Sequence, residues 1–488
     1  MAHIGVIGAG PCGILATKLL LERGFKVTLF ESGNMHEEVH ITQSDYRFDA
    51  PSKLPVDVHK IGGGSNYWKA RVGGLSDEFL EREKSTGNAL FPFSMVDFKQ
   101  FLSLLYKEIG LSAHLEEESL GSIHSCTNCT PFLSTYLWYF IRQETFKDMF
   151  TKISDNPNLT LEDEVYCAKI EYLEATKIDS PSDVKVNFMR SGETVLTSKT
   201  FDRVILTAGC LQSTALVLRS FPEYESYGAG RFLMEHFDGY IGKLYVSNKN
   251  ASCLSKFSLN VERKLEETNY GIGISKQNRD EYSWHLELAP LTRTYVFDPV
   301  QNRFNIRRKS FLKSLFFFER LMTHHWYTLH VKFCRLLGIR AYSLWLKGEE
   351  LPNFYSTISQ QYDEKKGTYR IFYKHKTSLE TRKRLGRDLR EFSRQIKRAN
   401  LGKIKLSPWT RFAKSTSTGG NWHSMGSLRI GYPESGVLDR GLSLGRHSKI
   451  QVFDSSSFPN GGHHNPTTLA LVLTIYGVER LCVFSQGS

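Results

Sequence analysis

Short apolar runs and a helical run alternate at the start of the chain. His3–Ile7 has the pattern of a short buried strand, Ile14–Arg23 that of a helix closed by Gly24, and Lys26–Glu31 that of a second strand ending in an acid. Much later, Arg203–Thr207 again has the pattern of a buried strand and precedes a helical run. These patterns predict an α/β unit built around a buried sheet.

The middle of the chain alternates apolar and polar residues over short stretches, which is typical of half-buried strands. Six such stretches are Gly239–Ser247, Lys256–Glu262, Tyr270–Ser275, Tyr282–Leu288, Tyr355–Tyr362 and Thr368–His375. Together they predict an antiparallel sheet. Two other segments have helical spacing: residues 303–347 predict one or two helices, and Arg382–Arg398 predicts an exposed amphipathic helix.

Composition is that of an ordinary globular protein of two or three domains. The 488 residues are 40% hydrophobic and 23% charged, which excludes disordered, collagen-like and small disulfide-stapled proteins. The longest mostly apolar run, Leu469–Val478, is shorter than the roughly 18–20 residues that span a bilayer, and the N-terminus lacks the pattern of a secretory leader. Eight irregularly spaced cysteines suit a reducing compartment. We therefore expect a cytoplasmic protein.

Positive charge is concentrated in one segment. The formal net charge is +12, and residues 303–347 contain ten Lys or Arg against one acid, Glu319, together with ten aromatic residues. The sequence has no zinc-finger, RRM or basic-zipper pattern, so we do not expect a nucleic-acid partner. Three interpretations of residues 303–347 remain open: a cap helix with a solvated basic face, a membrane-surface helix that binds anionic lipid, and an entrance that attracts an anionic substrate. The second would add peripheral contact with the inner face of the membrane.

The turn after the first strand carries a dinucleotide fingerprint. It consists of Gly8-Ala9-Gly10-Pro11-Cys12-Gly13, lies between a strand and a helix, and is followed by Glu31 at the end of the next strand. Gly8 would form the turn, Gly10 would admit a pyrophosphate to the helix N-terminus, and Gly13 would let helix and strand pack closely. Glu31 would bind the ribose hydroxyls of an adenosine.

Other glycine-rich segments favour FAD over NAD. Gly62-Gly63-Gly64-Ser65-Asn66 is a second cluster suited to close backbone approach to a large cofactor. Ala208-Gly209 ends a buried strand and opens a helix. We expect Gly63, Gly64, Ser65 and Asn66, with Ala208 and Gly209, to line the cofactor.

These segments, with the C-terminal motifs, resemble the glucose-methanol-choline (GMC) family of FAD-dependent oxidoreductases. The segment from Asn421 to Gly431 is similar to the family's H-x-x-G-T-x-R-M-G, with Ser427 and Ile430 as departures. Smaller similarities, in family order, are Phe91–Ser94, Gly230–His236, Glu349–Asn353, Gly436–Asp439, Ile450–Pro459 and His464–Thr468. Residues 245–345 carry almost none of the resemblance.

The resemblance implies a discontinuous architecture. Residues 1–85, 150–240 and 420–488 would form a Rossmann-like FAD-binding domain of the α/β class, like that of p-hydroxybenzoate hydroxylase. Residues 86–149 and 241–419 would form an α+β substrate-binding cap with an antiparallel sheet.

The resemblance also implies the residues that carry the chemistry. Oxidation of an alcohol needs a base for the hydroxyl proton and an acceptor for the hydride, and imidazole titrates near neutrality. The family's base corresponds to His423, and its partner before the last helix corresponds to Asn465; the hydride would pass to flavin N5. His464 is a second candidate for a polar contact with substrate. Cofactor contacts are also expected from Asp454, Asn465, Pro466 and Thr467.

Three further motifs limit the chemistry. Tyr67 stands where some sugar-oxidising family members have a histidine joined covalently to FAD, so we expect FAD to be held without a covalent bond. His463-His464 has no further ligands at metal-binding spacing, so we expect no metal. Cys126-Thr127-Asn128-Cys129 is a lone C-x-x-C, which we interpret as incidental, with a redox pair as the alternative.

The sequence thus predicts FAD-dependent oxidation of a CH–OH group to a carbonyl, most plausibly on a sugar or polyol-like substrate. The electron acceptor, whether oxygen, a quinone or a protein, is left open. The alternatives are lyase or decarboxylase chemistry on the same scaffold, and a flavin-free escort protein like the GTPase-dissociation inhibitors.

Overall fold

A computed structural model gives the fold as mixed α/β. The residues that the structure describes are 1–36, 45–46, 58–68, 70–73, 91–111, 133–173, 183–191, 193, 195–254, 263–265, 268–276, 284–290, 329–330, 332–363, 368–406, 423–434 and 436–486. The statements that follow concern these residues. Cys126, Cys129 and residues 303–328 of the basic aromatic segment lie outside them.

One sheet of six strands is parallel except at one edge. In order across the sheet the strands are Ser443–Leu444, His447–Val452, Arg203–Leu206, His3–Ile7, Lys26–Phe30 and Leu159–Glu162, and only the first is antiparallel to its neighbour. The N-terminal helix Pro11–Glu22 follows the strand His3–Ile7 and packs against the C-terminal helix Pro466–Gln486. The predicted N-terminal strands and helix are confirmed within one or two residues at most ends.

A larger sheet of eight strands is antiparallel throughout. Across it lie Lys403–Leu406, Phe237–Ser247, Ile339–Gly348, Trp284–Pro290, Thr268–Lys276, Leu133–Phe140 and Arg71–Val72, with Arg263–Leu265 paired to Thr268–Lys276. One face is covered by the amphipathic helix Leu379–Arg398, which Ser378 caps at its N-terminus. Leu385, Leu389 and Phe392 of this helix share a core with Leu286 and Leu344 of the sheet. The predicted helix is confirmed, and the period of its leucines sets the buried face.

The prediction of helices throughout residues 303–347 is wrong for its last part. Ile339–Gly348 is a central strand, paired to Phe237–Ser247 and to Trp284–Pro290. Tyr342 and Trp345 stand three apart, a spacing that fits a helix as well as a strand, so the pattern at this end of the segment does not distinguish the two.

Two three-stranded sheets and several helices complete the fold. The small sheets are Thr357–Asp363 with Thr368–Lys374 and Asp45–Tyr46, and Val165–Leu173 with Asp183–Arg190 and Thr197–Phe201. Further α-helices are Met95–Glu108, Thr145–Ile153, Gly209–Ser220 and Asn248–Leu254; 3₁₀ turns are Gly63–Asn66, Pro222–Tyr227 and Ser455–Ser457. Five of the six predicted middle strands are present, but Thr357–Asp363 and Thr368–Lys374 lie in a separate small sheet rather than in the large one, and Lys256–Glu262 falls outside the described part of the chain. Among the residues described, no helix is long and apolar enough to cross a membrane.

Candidate active site

Three polar loops meet at one edge of the parallel sheet. Gly8 follows the strand His3–Ile7, Thr207 follows Arg203–Leu206, and Phe453-Asp454 follows His447–Val452. These three strands are adjacent and parallel, so their carboxyl ends lie side by side. In open α/β sheets this edge is where ligands bind.

The glycines of the first loop differ in what surrounds them. A Cβ atom on Gly13 would lie 1.8 Å from the carbonyl oxygen of Gly8, and one on Gly8 would lie 2.6 Å from Cα of Ala208. A Cβ atom on Gly10 meets no atom within 4 Å, although this residue caps the N-terminal helix. Gly8 and Gly13 are therefore required for packing, whereas Gly10 borders open space at a helix N-terminus, where an anion is stabilised.

The second glycine cluster and Glu31 both contact this loop. The amide of Gly62 donates to the carbonyl of Ala9 (2.8 Å), and a Cβ atom on Gly63 would lie 3.0 Å from Cα of Gly10. The buried Glu31 carboxylate accepts from the amides of Ala9 (2.8 Å) and Gly33 (3.0 Å). Within the cluster, Ser65 Oγ donates to Gly62, Asn66 Nδ2 donates to Gly63, and Pro11 occupies the first turn of the helix. The structure thus brings together the cofactor residues predicted from the first 70 positions.

Asp454 joins two of the strand-end loops. One carboxylate oxygen accepts from the amide of Gly209 (3.0 Å) and from Ser213 Oγ (2.5 Å), and the other accepts from the amide and the hydroxyl of Ser456. Burial raises the pKa of this carboxyl although these donors oppose the shift. Because its oxygens are engaged by protein donors, Asp454 fixes Ala208-Gly209 beside the first glycine loop.

His423 lies in a segment that is held by hydrogen bonds to Glu235 and to Ser455. The carboxylate of Glu235 accepts from the amide of His423 (3.1 Å), from Ser424 Oγ (2.6 Å) and from the hydroxyl of Tyr373 (3.0 Å). Ser455 Oγ donates to the carbonyl of Ser424 (2.8 Å), beside Asp454. Burial raises the pKa of Glu235, while its hydrogen bonds and the nearby His375 act in the opposite direction.

The ring of His423 contacts a second imidazole. Its Nδ1 lies 2.8 Å from Nδ1 of His236, and Nε2 of His236 lies 3.4 Å from the carbonyl oxygen of Gly461. A carbonyl only accepts, so His236 donates from Nε2 and, when uncharged, accepts at Nδ1. His423 therefore donates from Nδ1, and its Nε2 carries the lone pair. Burial, followed by the electrostatic effects of His236 and Lys347, holds the pKa of His423 well below its usual value.

Asn465 lies at the start of the C-terminal helix and contacts a cation. Lys347 Nζ, on a strand of the large antiparallel sheet, donates to Oδ1 of Asn465 (3.1 Å). Pro466 and Thr467 form the first turn of that helix, and Thr468 Oγ1 accepts from the amide of Gly73 (3.0 Å). The large antiparallel sheet, through Lys347 and Gly73, thus contacts the N-terminus of this helix.

His464 is buried beside His463. Both side chains are less than 5% exposed, and their ring centroids are 3.9 Å apart. Among the described residues, no group of three His, Cys, Asp or Glu side chains is arranged to hold a metal ion. Tyr67, by contrast, is 62% exposed.

Comparison with known proteins agrees with this arrangement. Residues 359–474, which include His423, Asp454 and Asn465, match the family model described as GMC oxidoreductase. The predicted resemblance to the GMC family is confirmed over this part of the chain. By fold, the chain is similar to the crystal structure of pyridoxine 4-oxidase from Mesorbium loti, with 15% sequence identity, 99% coverage of both chains and a TM-score of 0.55. No curated protein matches the sequence.

The match to the GMC oxidoreductase model supports an oxidoreductase that acts on CH–OH donors with FAD, the cofactor that enzymes of this family bind. The open space in front of Gly10, bordered by the second glycine cluster, fits the pyrophosphate of such a cofactor. The fold is mixed α/β, with one sheet that is parallel except at one edge and a large antiparallel sheet, and it is similar to that of the solved oxidase.

Sequence reasoning missed Glu235, His236 and Lys347 as site residues. The first two lie in Gly230–His236, which the resemblance did include, but nothing in the sequence relates them to His423, 187 residues away from His236. Lys347 was counted only within the basic segment. The sequence feature that could have identified it is an alternation, because Leu344 and Leu346 alternate with Trp345 and Lys347. Such an alternation distinguishes the two faces of a strand.

Proposed function

We propose that this protein is an FAD-dependent alcohol oxidoreductase in which His423 accepts the hydroxyl proton and Asn465 orients the hydroxyl oxygen. FAD, when bound, supplies the acceptor for the hydride of the carbinol carbon. The observation that carries the proposal is the hydrogen-bonded series Gly461, His236 and His423, since it leaves the lone pair on Nε2 of His423. The depressed pKa of that imidazole keeps it in the basic form.

The cofactor would be held by the strand-end loops. Gly8, Gly10, Pro11 and Gly13 would receive the pyrophosphate at the helix N-terminus, and Glu31 would face the adenosine ribose. Gly63–Asn66 and Ala208-Gly209, the latter fixed by Asp454, would complete the binding surface together with Asn465–Thr467. Tyr67 replaces the histidine that would form a covalent link, so we propose non-covalent binding.

We propose the domain division given by the sequence, with a Rossmann-like FAD-binding domain at 1–85, 150–240 and 420–488 and a cap at 86–149 and 241–419. All strands of the six-stranded sheet fall in the first set, which supports it. Several elements cross the division: Arg71–Val72 pairs in the large antiparallel sheet, Asp45–Tyr46 pairs with Thr368–Lys374, and Met95–Glu108 packs into the core of the first domain.

A small-molecule alcohol is the proposed substrate, with sugars and polyols as the first class to test. Pyridoxine joins the screen because the structural neighbour is a pyridoxine 4-oxidase. Oxygen, a quinone and a protein carrier are the acceptors to compare.

The test begins with the absorption spectrum of the purified protein. We expect a flavin band, and acid precipitation should leave the flavin in the supernatant. The flavoprotein is then mixed anaerobically with glucose, glycerol, pyridoxine, a sterol and benzyl alcohol, and one class should bleach the flavin. A protein that neither contains nor binds FAD would contradict the proposal in favour of a flavin-free binding protein, and flavin retained in the pellet would contradict non-covalent binding.

A further inference from the structure

Lys347 reaches the candidate site from the large antiparallel sheet. Along Ile339–Gly348, Leu344 and Leu346 are fully buried against the amphipathic helix. Side chains alternate between the faces of a strand, so Lys347 belongs to the opposite face. That face also carries Glu287, whose strand pairs with Ile339–Gly348 and which forms a buried ion pair with Arg71 (2.8 Å).

The contact with Asn465 fixes the direction of its amide. A lysine amine has donors and no acceptor, so only Oδ1 of Asn465 can be its partner. The distance of 3.1 Å from Nζ to Oδ1 is that of a hydrogen bond. With Oδ1 held by Lys347, Asn465 presents Nδ2, a donor, to its other neighbours. A substrate hydroxyl that must give its proton to His423 needs a donor to its oxygen.

The charge of Lys347 also acts on the base. Among the residues that the structure describes, no carboxylate lies within ion-pair distance of Lys347 Nζ. The other ionisable groups that face His423 are His236, through its ring, and Glu235, through the amide of His423. The positive charge of Lys347 lowers the pKa of His423, after burial and His236.

We propose that Lys347 is a positioning residue of this site, which holds Asn465 with its amide N–H toward the substrate oxygen and adds a positive charge to the surroundings of His423. The proposal rests on the proposed function, because it assigns Lys347 a role toward that base and that amide. It assigns the substrate a hydroxyl oxygen that accepts from Asn465 while its proton passes to His423.

The first test measures the base without substrate. In protein labelled with ¹⁵N-histidine, the His423 signals are assigned with His423→Asn and followed against pH in wild type, Lys347→Met and Lys347→Arg. Lys347→Met removes the charge and keeps the length of the side chain, so the pKa of His423 should rise. Lys347→Arg should restore it. Lys405→Met, on the exposed edge strand of the same sheet, is the matched control. An identical His423 signal in wild type and Lys347→Met at every pH where both are folded would overturn the proposal.

The second test uses flavin reduction by whichever screened alcohol bleaches wild type fastest. At a pH above the acid limb of the profile, loss of the positioning hydrogen bond in Lys347→Met should slow reduction roughly tenfold to a hundredfold. In an Asn465→Ala background, Lys347→Met should lower the pH-independent rate of flavin reduction by less than about threefold, because Lys347 acts through the amide of Asn465. The acid limb should nevertheless move to higher pH in both backgrounds. Full additivity of the two substitutions would overturn the positioning role.

The two proposals fail in different ways. If no alcohol reduces the flavin of the wild-type protein, the proposed function fails, whereas the NMR titration still reports whether Lys347 acts on His423. If wild type is reduced and Lys347→Met matches it in plateau rate and pH profile, only the role of Lys347 fails.

Discussion

His236 and His423 meet through their Nδ1 atoms, 2.8 Å apart, with their rings nearly perpendicular at 82°. Two uncharged imidazoles can share such a contact only if one donates and the other accepts. The carbonyl of Gly461 assigns those roles, because it fixes the proton of His236 on Nε2. The carbonyl oxygen of Gly461 therefore determines which nitrogen atom of each imidazole carries the proton.

Removal of the proposed base, His423, should leave a protein that still binds flavin and reduces it slowly. Positioned general-base catalysis is typically worth ~10² to 10⁴ in rate, so His423→Ala should retain flavin and lower its rate of reduction by that factor. Anaerobic stopped flow with a true substrate measures this, and His330→Ala, at an exposed position, is the control. The wild-type rate should fall with decreasing pH only below the usual titration range of histidine, because the pKa of His423 is depressed. A wild-type rate in His423→Ala would contradict the role of His423 as the base, and His464 would be the next candidate.

His236 should affect the rate of flavin reduction through its Nδ1 atom, which accepts a hydrogen bond from His423. His236→Ala removes the group that receives the Nδ1 proton of His423, and we expect flavin reduction to slow roughly tenfold or more. His236→Asn offers an amide oxygen near the position of Nδ1, so it should recover most of the rate. Equal losses in both variants would indicate that packing, rather than the hydrogen bond, is what His236 supplies.

Glu235 should give the protein a pH-dependent component of stability. Its pKa is raised in the folded state, so the native protein binds more protons than the unfolded chain above the ordinary carboxyl pKa of roughly 4.3. The free energy of unfolding should therefore fall as pH rises from that value toward the raised pKa. Urea titrations at several pH values should show a smaller fall in Glu235→Gln, while the exposed control Glu223→Gln keeps the wild-type slope. The Gln variant should also be about 1–3 kcal/mol less stable near pH 5, since its amide N–H₂ replaces an acceptor in a buried site.

Substitution of Gly10 should impair FAD binding, whereas substitution of Gly13 should destabilise the fold. Gly10→Val places its side chain in open space, so the apoprotein should fold with a melting temperature near that of wild-type apoprotein and bind little FAD. Gly13→Ala would place Cβ 1.8 Å from a carbonyl oxygen and should destabilise the apoprotein itself. Gly386→Ala, on the amphipathic helix, is the control that should leave FAD binding unchanged. Normal FAD affinity in Gly10→Val would contradict the proposal that this loop binds the pyrophosphate.

The sequence was informative where function depends on local geometry. The turn from Gly8 to Gly13 and the acid at Glu31 lie within one strand–helix–strand unit, so their spacing alone predicts that they meet. His423 and Asn465 were recognised through motifs of the family. Contacts between distant segments left no such pattern, which is why Glu235 and His236 were missed. Lys347 was missed for a different reason, since its strand contains aromatic residues at a spacing that also suits a helix.

The position of His447–Val452 beside Arg203–Leu206 has a consequence for biosynthesis. The strand next to the central pair of the parallel sheet is made only after residues 207–446, and the helix Pro466–Gln486, which packs against the N-terminal helix, is made after it. Until then Leu19 and Leu20 of the N-terminal helix lack part of their buried surroundings. A nascent chain therefore carries an incomplete edge of the parallel sheet while residues 207–446 are made, and this sheet can be completed only after Val452 has been added.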